Sequence, residues 1–85
     1  MKLYRIYTEN KNLEGIKMIL NRAFESYTLL EGIGVWKGTE EKSLIIEVLS
    51  ATPPAYFKIV AEDIKELNKQ EAALLTVQET ELKLV

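Results

Sequence analysis

Ser43-Leu44-Ile45-Ile46-Glu47-Val48-Leu49 is apolar throughout except for its first residue and one glutamate. A run this short and this rich in branched side chains suits a strand covered on both sides. It marks the centre of a sheet, and its flanks say what kind. Upstream, Lys37 to Lys42 (Lys-Gly-Thr-Glu-Glu-Lys) is a polar turn with a glycine, as a hairpin requires. Before the turn, Ser26 to Trp36 alternates like a strand: Tyr27, Leu29, Ile33 and Val35 on one side, Thr28, Leu30, Gly34 and Trp36 on the other. Gly32 and Gly34 inside this run predict a bulge or a strong local bend.

Working outward, Lys2 to Thr8 (Lys-Leu-Tyr-Arg-Ile-Tyr-Thr) reads as a strand that Glu9-Asn10-Lys11-Asn12 interrupts. Asn12 is placed to cap a helix through its side chain. Leu13, Ile16, Leu20, Ala23 and Phe24 then recur at helical spacing, with Ile19 beside the stripe. Gly15 costs that helix ~1 kcal/mol of propensity, so packing must hold it. Downstream, Thr52 is the expected cap and Pro53 the first residue of a second helix, whose stripe is Phe57, Val60, Ala61, Ile64 and Leu67. Asn68 is the expected stop, because asparagine tolerates the left-handed conformation. Ala72 to Thr80 is the last main strand, with Leu82, Leu84 and Val85 extending it or forming a small edge piece.

The order is β-α-β-β-α-β within one domain, residues 1–85. Two right-handed crossovers joined by a hairpin define an α+β, ferredoxin-like sandwich, a four-stranded antiparallel sheet with both helices on one face. The first and third strands then lie side by side in the centre.

Alternation divides the strands into two sets. Tyr4, Ile6, Leu29, Ile33, Val35, Leu44, Ile46, Val48, Leu75 and Val77 form the set assigned to the helices. The other set is Leu3, Arg5, Tyr7, Leu30, Trp36, Ile45, Glu47, Leu49, Leu74, Thr76 and Gln78, too apolar for a solvated face. Hiding its large side chains offers roughly 10 kcal/mol of gross driving force before association costs. The open face is therefore expected to be a subunit interface built on Leu3, Arg5, Tyr7, Leu30, Ile45, Glu47, Leu49 and Leu74. Arg5 and Glu47 fall on neighbouring strands of that face. Their pairing reads either as a device that fixes interface register or as an ion pair tolerated in a partly wet groove.

Composition removes several classes of chemistry. The 85 residues carry 11 Lys/Arg against 13 Asp/Glu, a net charge of −2, and neither His nor Cys. Disulfides, thiolate chemistry, Cys/His metal sites and imidazole triads are excluded. Glu40-Glu41 and Glu79-Thr80-Glu81 are carboxylate pairs whose spacing diagnoses no metal, and a solvated turn or strand end accounts for them. Gly32-Ile33-Gly34 and Gly38 do not lead from a strand into a helix, so they form no phosphate cradle. Tyr7 and Trp36 suggest base stacking, but the central strand has no aromatic and the charge is negative, so nucleic acid is not an expected partner. No membrane segment or secretion signal is legible, and a cytoplasmic location is the expectation.

Trp36-Lys37-Gly38 is the most distinctive local feature. It reads as an aromatic wall of a pocket between subunits, with Lys37 or Lys42 meeting an anion, or as a tryptophan anchoring the interface. Leu30-Glu31-Gly32-Ile33-Gly34-Val35-Trp36-Lys37-Gly38, followed by Glu41-Lys42-Ser43-Leu44-Ile45-Ile46-Glu47-Val48, resembles the hairpin of CutA-type proteins, relatives of the PII signalling proteins. In that family a glycine precedes a strand ending in Trp-x-Gly, and an acidic turn leads into a Leu-Ile-Ile strand. Gly34-Val35 replaces the paired aromatics before the family's Trp, and the turn is far shorter than the long PII signalling loop. The chain is more similar to a small PII-like domain than to a close member of either group.

The resemblance implies a tight trimer with open sheet faces turned inward and ligand clefts between subunits at the hairpin bases. The expectation is a non-enzymatic homo-oligomer, a trimer rather than a dimer, that binds a small anionic ligand near Trp36, Lys37 and Lys42 without cofactor or metal. The alternative is a cofactor-independent enzyme on a dimeric α/β barrel. Its pocket would be lined by the sheet-facing sides of Leu13–Phe24 and Phe57–Leu67, with Tyr, Lys or Glu as acid–base groups.

Overall fold

In the computed structural model, which describes residues 1–85, the Ser43–Leu49 run lies within the longest strand of a four-stranded sheet. The elements are β1 (Lys2–Glu9), α1 (Leu13–Ala23), β2 (Thr28–Trp36), β3 (Thr39–Ser50), α2 (Pro54–Asn68) and β4 (Leu74–Glu79). The sheet order is β2-β3-β1-β4 and every pairing is antiparallel, so β1 and β3 occupy the centre. This is the ferredoxin-like sandwich. Neither helix is long and apolar enough to cross a membrane.

Alternation along the central strands drives the packing. Tyr4 and Ile6 of β1 and Leu44, Ile46 and Val48 of β3 are buried beneath the helices. Ile16 and Leu20 of α1 and Phe57, Val60, Ala61 and Ile64 of α2 meet them from above. Tyr4 and Phe57 stack with ring centroids 3.6 Å apart. The Tyr4 hydroxyl, which cannot be left dry and unpaired, donates to the Thr52 carbonyl at 2.6 Å. The space between helices and sheet, where the barrel-type enzyme would need its pocket, is filled by these side chains. Gly15 allows the close approach of α2: a Cβ there would lie 2.9 Å from Leu67 Cδ2.

Several local expectations are corrected. Asn12 occupies the cap position of α1 at φ 57° but caps no helix N–H; its side-chain amide donates instead to Asn68 Oδ1 at 3.1 Å. The second helix starts one residue late, with Pro53 rather than Thr52 at the cap, because a residue preceding a proline is held extended and Pro54 follows. Asn68 is the last helical residue, and Lys69 takes the left-handed conformation at φ 52°. Lys69 N donates to Glu66 O and Gln70 N to Lys65 O, which closes the helix end in a Schellman motif.

The hairpin differs too. Its turn is only Lys37-Gly38, with φ of 50° and 79°, the sign pattern of a two-residue type I′ turn. Thr39–Lys42 already belongs to β3. Pairing runs unbroken from Thr28↔Glu47 to Trp36↔Thr39, so Gly32 and Gly34 sit in a continuous ladder and make no bulge. Ile33 and Val35 have the helix-side parity expected of them yet are 74% and 71% exposed, because this end of the hairpin is not covered by the helices. Val77, on edge strand β4, is likewise exposed. β4 begins at Leu74, since the Ala72 carbonyl is taken by Gln70 Nε2 at 2.7 Å, and Leu82, Leu84 and Val85 lie exposed outside the sheet.

Lys69 has a Cβ where glycine would be free of strain. Lys69→Gly is expected to stabilise the fold by about 0.5–1 kcal/mol, read as a higher urea midpoint at unchanged m-value. A lower midpoint contradicts the cap assignment.

Candidate functional site

The sheet face opposite the helices carries the set of side chains expected there. At its centre Arg5 stands directly across from Glu47, and Arg5 Nε donates to Glu47 Oε2 at 2.6 Å. Arg5 Nη1 also reaches Gln78 Oε1 at 3.4 Å on the other flank. The hydrogen bond that Arg5 donates to Glu47 raises the guanidinium's pKa further, so this charge does not titrate. Leu3 faces Leu49, and Tyr7 faces Ile45 on one side and Leu74 on the other, while Leu30 lies beyond Ile45. Nothing in the protomer covers them: Leu30 is 45%, Leu49 46% and Leu74 59% exposed.

At one end of this face, beneath the hairpin, opens a cleft of about 560 Å³. Its walls are the ends of β1 and β3 (Tyr7, Glu9, Glu41, Ser43), the hairpin strand (Gly34, Val35, Trp36) and the loop Lys69–Leu74. Gly34 lies beside Ser43 in this wall, where a Cβ would make an ordinary 3.4 Å contact with the Ser43 side chain. Trp36 Nε1 donates to Glu71 Oε2 at 3.3 Å, and Lys37 Nζ donates to Glu71 Oε1 at 2.7 Å. The Lys37 ammonium also lies 5.9 Å from the Trp36 ring centroid, within reach of a cation–π contact. Lys37 first, and Trp36 second, hold the Glu71 carboxyl below the usual carboxylate range.

The loop bearing Glu71 is fixed from beneath by Asn68, a polar residue only 3% exposed. Its amide nitrogen faces Gln70 Oε1 at 3.1 Å, Glu9 O at 3.4 Å and Thr8 Oγ1 at 3.5 Å, while its oxygen accepts from Asn12. Thr8 Oγ1 donates to Gln70 Oε1 at 2.9 Å, completing the network. A buried polar group this well satisfied orders its surroundings, because each lost partner leaves an unpaired group behind.

Glu9 and Glu41 meet in the same cleft. Glu40 and Glu41, neighbours in sequence, point to opposite faces of β3, so the carboxylate that approaches Glu41 is Glu9. Loss of solvation, then the hydrogen bond and the charge of Glu9, push the Glu41 carboxyl above its ordinary value. Glu9 is paired in turn with Lys11 at 3.2 Å. No cluster of three or more acidic side chains that could hold a metal ion exists.

Of the three residues expected to meet a ligand, the structure unites two. Trp36 and Lys37 converge on Glu71, whereas Lys42 pairs with Ile33 and has the opposite face parity. Sequence reasoning missed Glu71, Gln70, Lys69 and Lys11. Lys69-Gln70-Glu71 carries no recognisable motif after the Asn68 stop, and Glu71's partners Trp36 and Lys37 lie 35 and 34 positions away in the chain.

No family model matches the chain, and no curated protein matches it. Solved structures do share its fold. CPII, a nitrogen regulatory PII-like protein from Thiomonas intermedia K12 bound to ADP, AMP and bicarbonate, aligns at TM-score 0.67 and 17% identity, over 99% of this chain and 93% of its own. GlnK of B. subtilis, in complex with ATP, aligns at TM-score 0.65 and 23% identity, over 93% of this chain and 80% of its own. A phage SAM lyase in its apo state aligns at TM-score 0.68 and 17% identity, over 91% of this chain and 78% of its own. The fold is thus that of the PII-like proteins, as the hairpin resemblance implies.

Because folding raises the Glu41 pKa, the folded state holds this proton to higher pH than the unfolded chain does. Ionising Glu41 therefore costs stability as pH rises through its folded pKa. Glu41→Gln should match the wild type in acid and exceed it in thermal midpoint near neutral pH. A difference that shrinks as pH rises contradicts the Glu9–Glu41 encounter.

Proposed function

We propose that this chain is a non-enzymatic, PII/CutA-like domain that assembles through its open sheet face, as a homotrimer, and binds a small anionic ligand in clefts bordered by the subunit interface. The observation that carries this reading is the uncovered face: Leu3, Tyr7, Leu30, Ile45, Leu49 and Leu74 surround an Arg5–Glu47 pair with no helix above them. A second copy is the occupant that suits it. Each protomer offers the same apolar ring, and a paired charge at the centre can be buried with far less penalty than a lone one. The trimer, in preference to a dimer, follows from the resemblance to CutA-type and PII proteins, whose open faces turn inward.

The cleft supports the ligand reading. Tyr7 and Leu74 belong both to the open face and to the cleft wall, so a copy laid on that face closes one side of the cleft. Its volume suits a small molecule. Trp36 and Lys37 supply an N–H donor and a cation at its rim, while Lys42, on the hairpin's other face, stands away from it. CPII and GlnK hold nucleotides on the same fold, which supports a small charged ligand for this one. The phage SAM lyase carries an enzyme's name on that fold, but the helix–sheet pocket that the dimeric-barrel enzyme reading requires is occupied here by Tyr4, Ile6, Phe57 and Ile64.

Ile45→Asp places an unpaired charge near the middle of the face. Light scattering should show the oligomer weakened by roughly a hundredfold, as expected for a central residue worth about 2–4 kcal/mol, with circular dichroism reporting whether the helices persist. A folded variant with unchanged oligomeric state contradicts the interface assignment.

A further inference from the structure

Glu71 is set between two donors that belong to different elements from its own. Trp36 Nε1 ends β2 and Lys37 Nζ rises from the turn, and each takes one oxygen of the same carboxylate. The donors are fixed by the ladder that pairs Trp36 with Thr39 and by the left-handed backbone of Lys37. The loop that carries the carboxylate is anchored by Gln70, which accepts from Thr8 and Asn68. Two donors converging on one carboxylate make a receptor for an oxyanion. The bond is nevertheless weak, because Lys37 and Glu71 are 68% and 62% exposed and such pairs gain little in water.

We propose that Glu71 is an internal stand-in for the ligand: its carboxylate occupies the Trp36 and Lys37 donors, and a small molecule bearing one oxyanion group on an apolar or aromatic body binds by displacing it. This deepens the cleft-binding reading above and rests on it. The body of such a ligand lies against Tyr7, Leu74 and the Trp36 ring, beside Gly34. Charge sets the class. Glu9, Glu41 and Glu71 stand against Lys11, Lys69 and the adjacent Lys37, and Lys11 is already engaged by Glu9. Displacing Glu71 frees one cation, which matches a single carboxylate, whereas a phosphate or polyphosphate meets the remaining carboxylates without surplus positive charge. The latch thus makes the closed cleft self-neutral and sets a threshold that a ligand must exceed.

Trp36 is the only tryptophan, so its emission reports this site alone. In the full chain, Glu71→Ala should alter Trp36 emission without any addition, and benzoate should bind Glu71→Ala at least tenfold tighter than the wild type. Adding Lys37→Gln to Glu71→Ala should abolish that gain, and neutral benzamide should show none. Equal benzoate affinity in wild type and Glu71→Ala, no benzoate response in Glu71→Ala, a gain that survives Lys37→Gln, or an equal gain for benzamide each overturns the displacement proposal. Light scattering on the same samples separates the two ideas. A monomeric wild type defeats the self-assembly reading, whereas an intact oligomer with equal affinities defeats only the latch.

Discussion

Two helices can cover one side of a four-stranded sheet, and in this chain both sides are apolar. That constraint governs the rest of the molecule. The covered side becomes the core, with Tyr4 stacked on Phe57 and the branched residues of β3 packed beneath α1 and α2. The uncovered side keeps Leu30, Leu49 and Leu74 in contact with water around one ion pair. A chain this small gains much from burying more surface, because its own core is limited. An uncovered apolar face and a small interior have the same remedy, a further layer, which the proposed self-association supplies.

The cleft arises from a second constraint, the tightness of the hairpin. A two-residue turn carries β2 directly into β3, so the ladder extends past the helices and its end stands over the sheet's edge. Gly34 and Ser43, on paired strands, line the space below. On the other side, the left-handed Lys69 ends α2 abruptly and turns the chain back toward β4, with Asn68 satisfying the polar groups this exposes. The site is thus a meeting of two chain reversals. Each is stabilised locally, and between them stands a pair of charges that neither reversal needs for its own fold.

Much of this was legible in residue order. The Ser43–Leu49 run marked a central strand, and simple alternation separated Tyr4, Ile6, Leu44 and Ile46 from Leu3, Tyr7, Ile45 and Leu49 correctly. Arg5 and Glu47 were placed together by parity alone, and they are bonded. What failed were inferences from residue type about backbone detail. Asparagine at 68 resembled a stop, but a lysine bears the left-handed angle, because burial made the Asn68 amide more useful inside. Glycines at 32 and 34 resembled a bulge, but they sit within an unbroken ladder. Ile33 and Val35 have core-like character and no core above them, a matter of helix reach that periodicity cannot express. Glu71 gave no signal, because its partners lie 34 and 35 positions away and meet it only through the hairpin's curl.

Sedimentation equilibrium of the wild-type chain at micromolar concentration and neutral pH tests self-association most directly. The uncovered face predicts an oligomer that persists on dilution, and the proposed trimer a single species of three times the 9.7 kDa protomer mass. A well-folded species of one protomer mass across the same range contradicts it, since the face around Arg5 and Glu47 would then be stable in water without a partner.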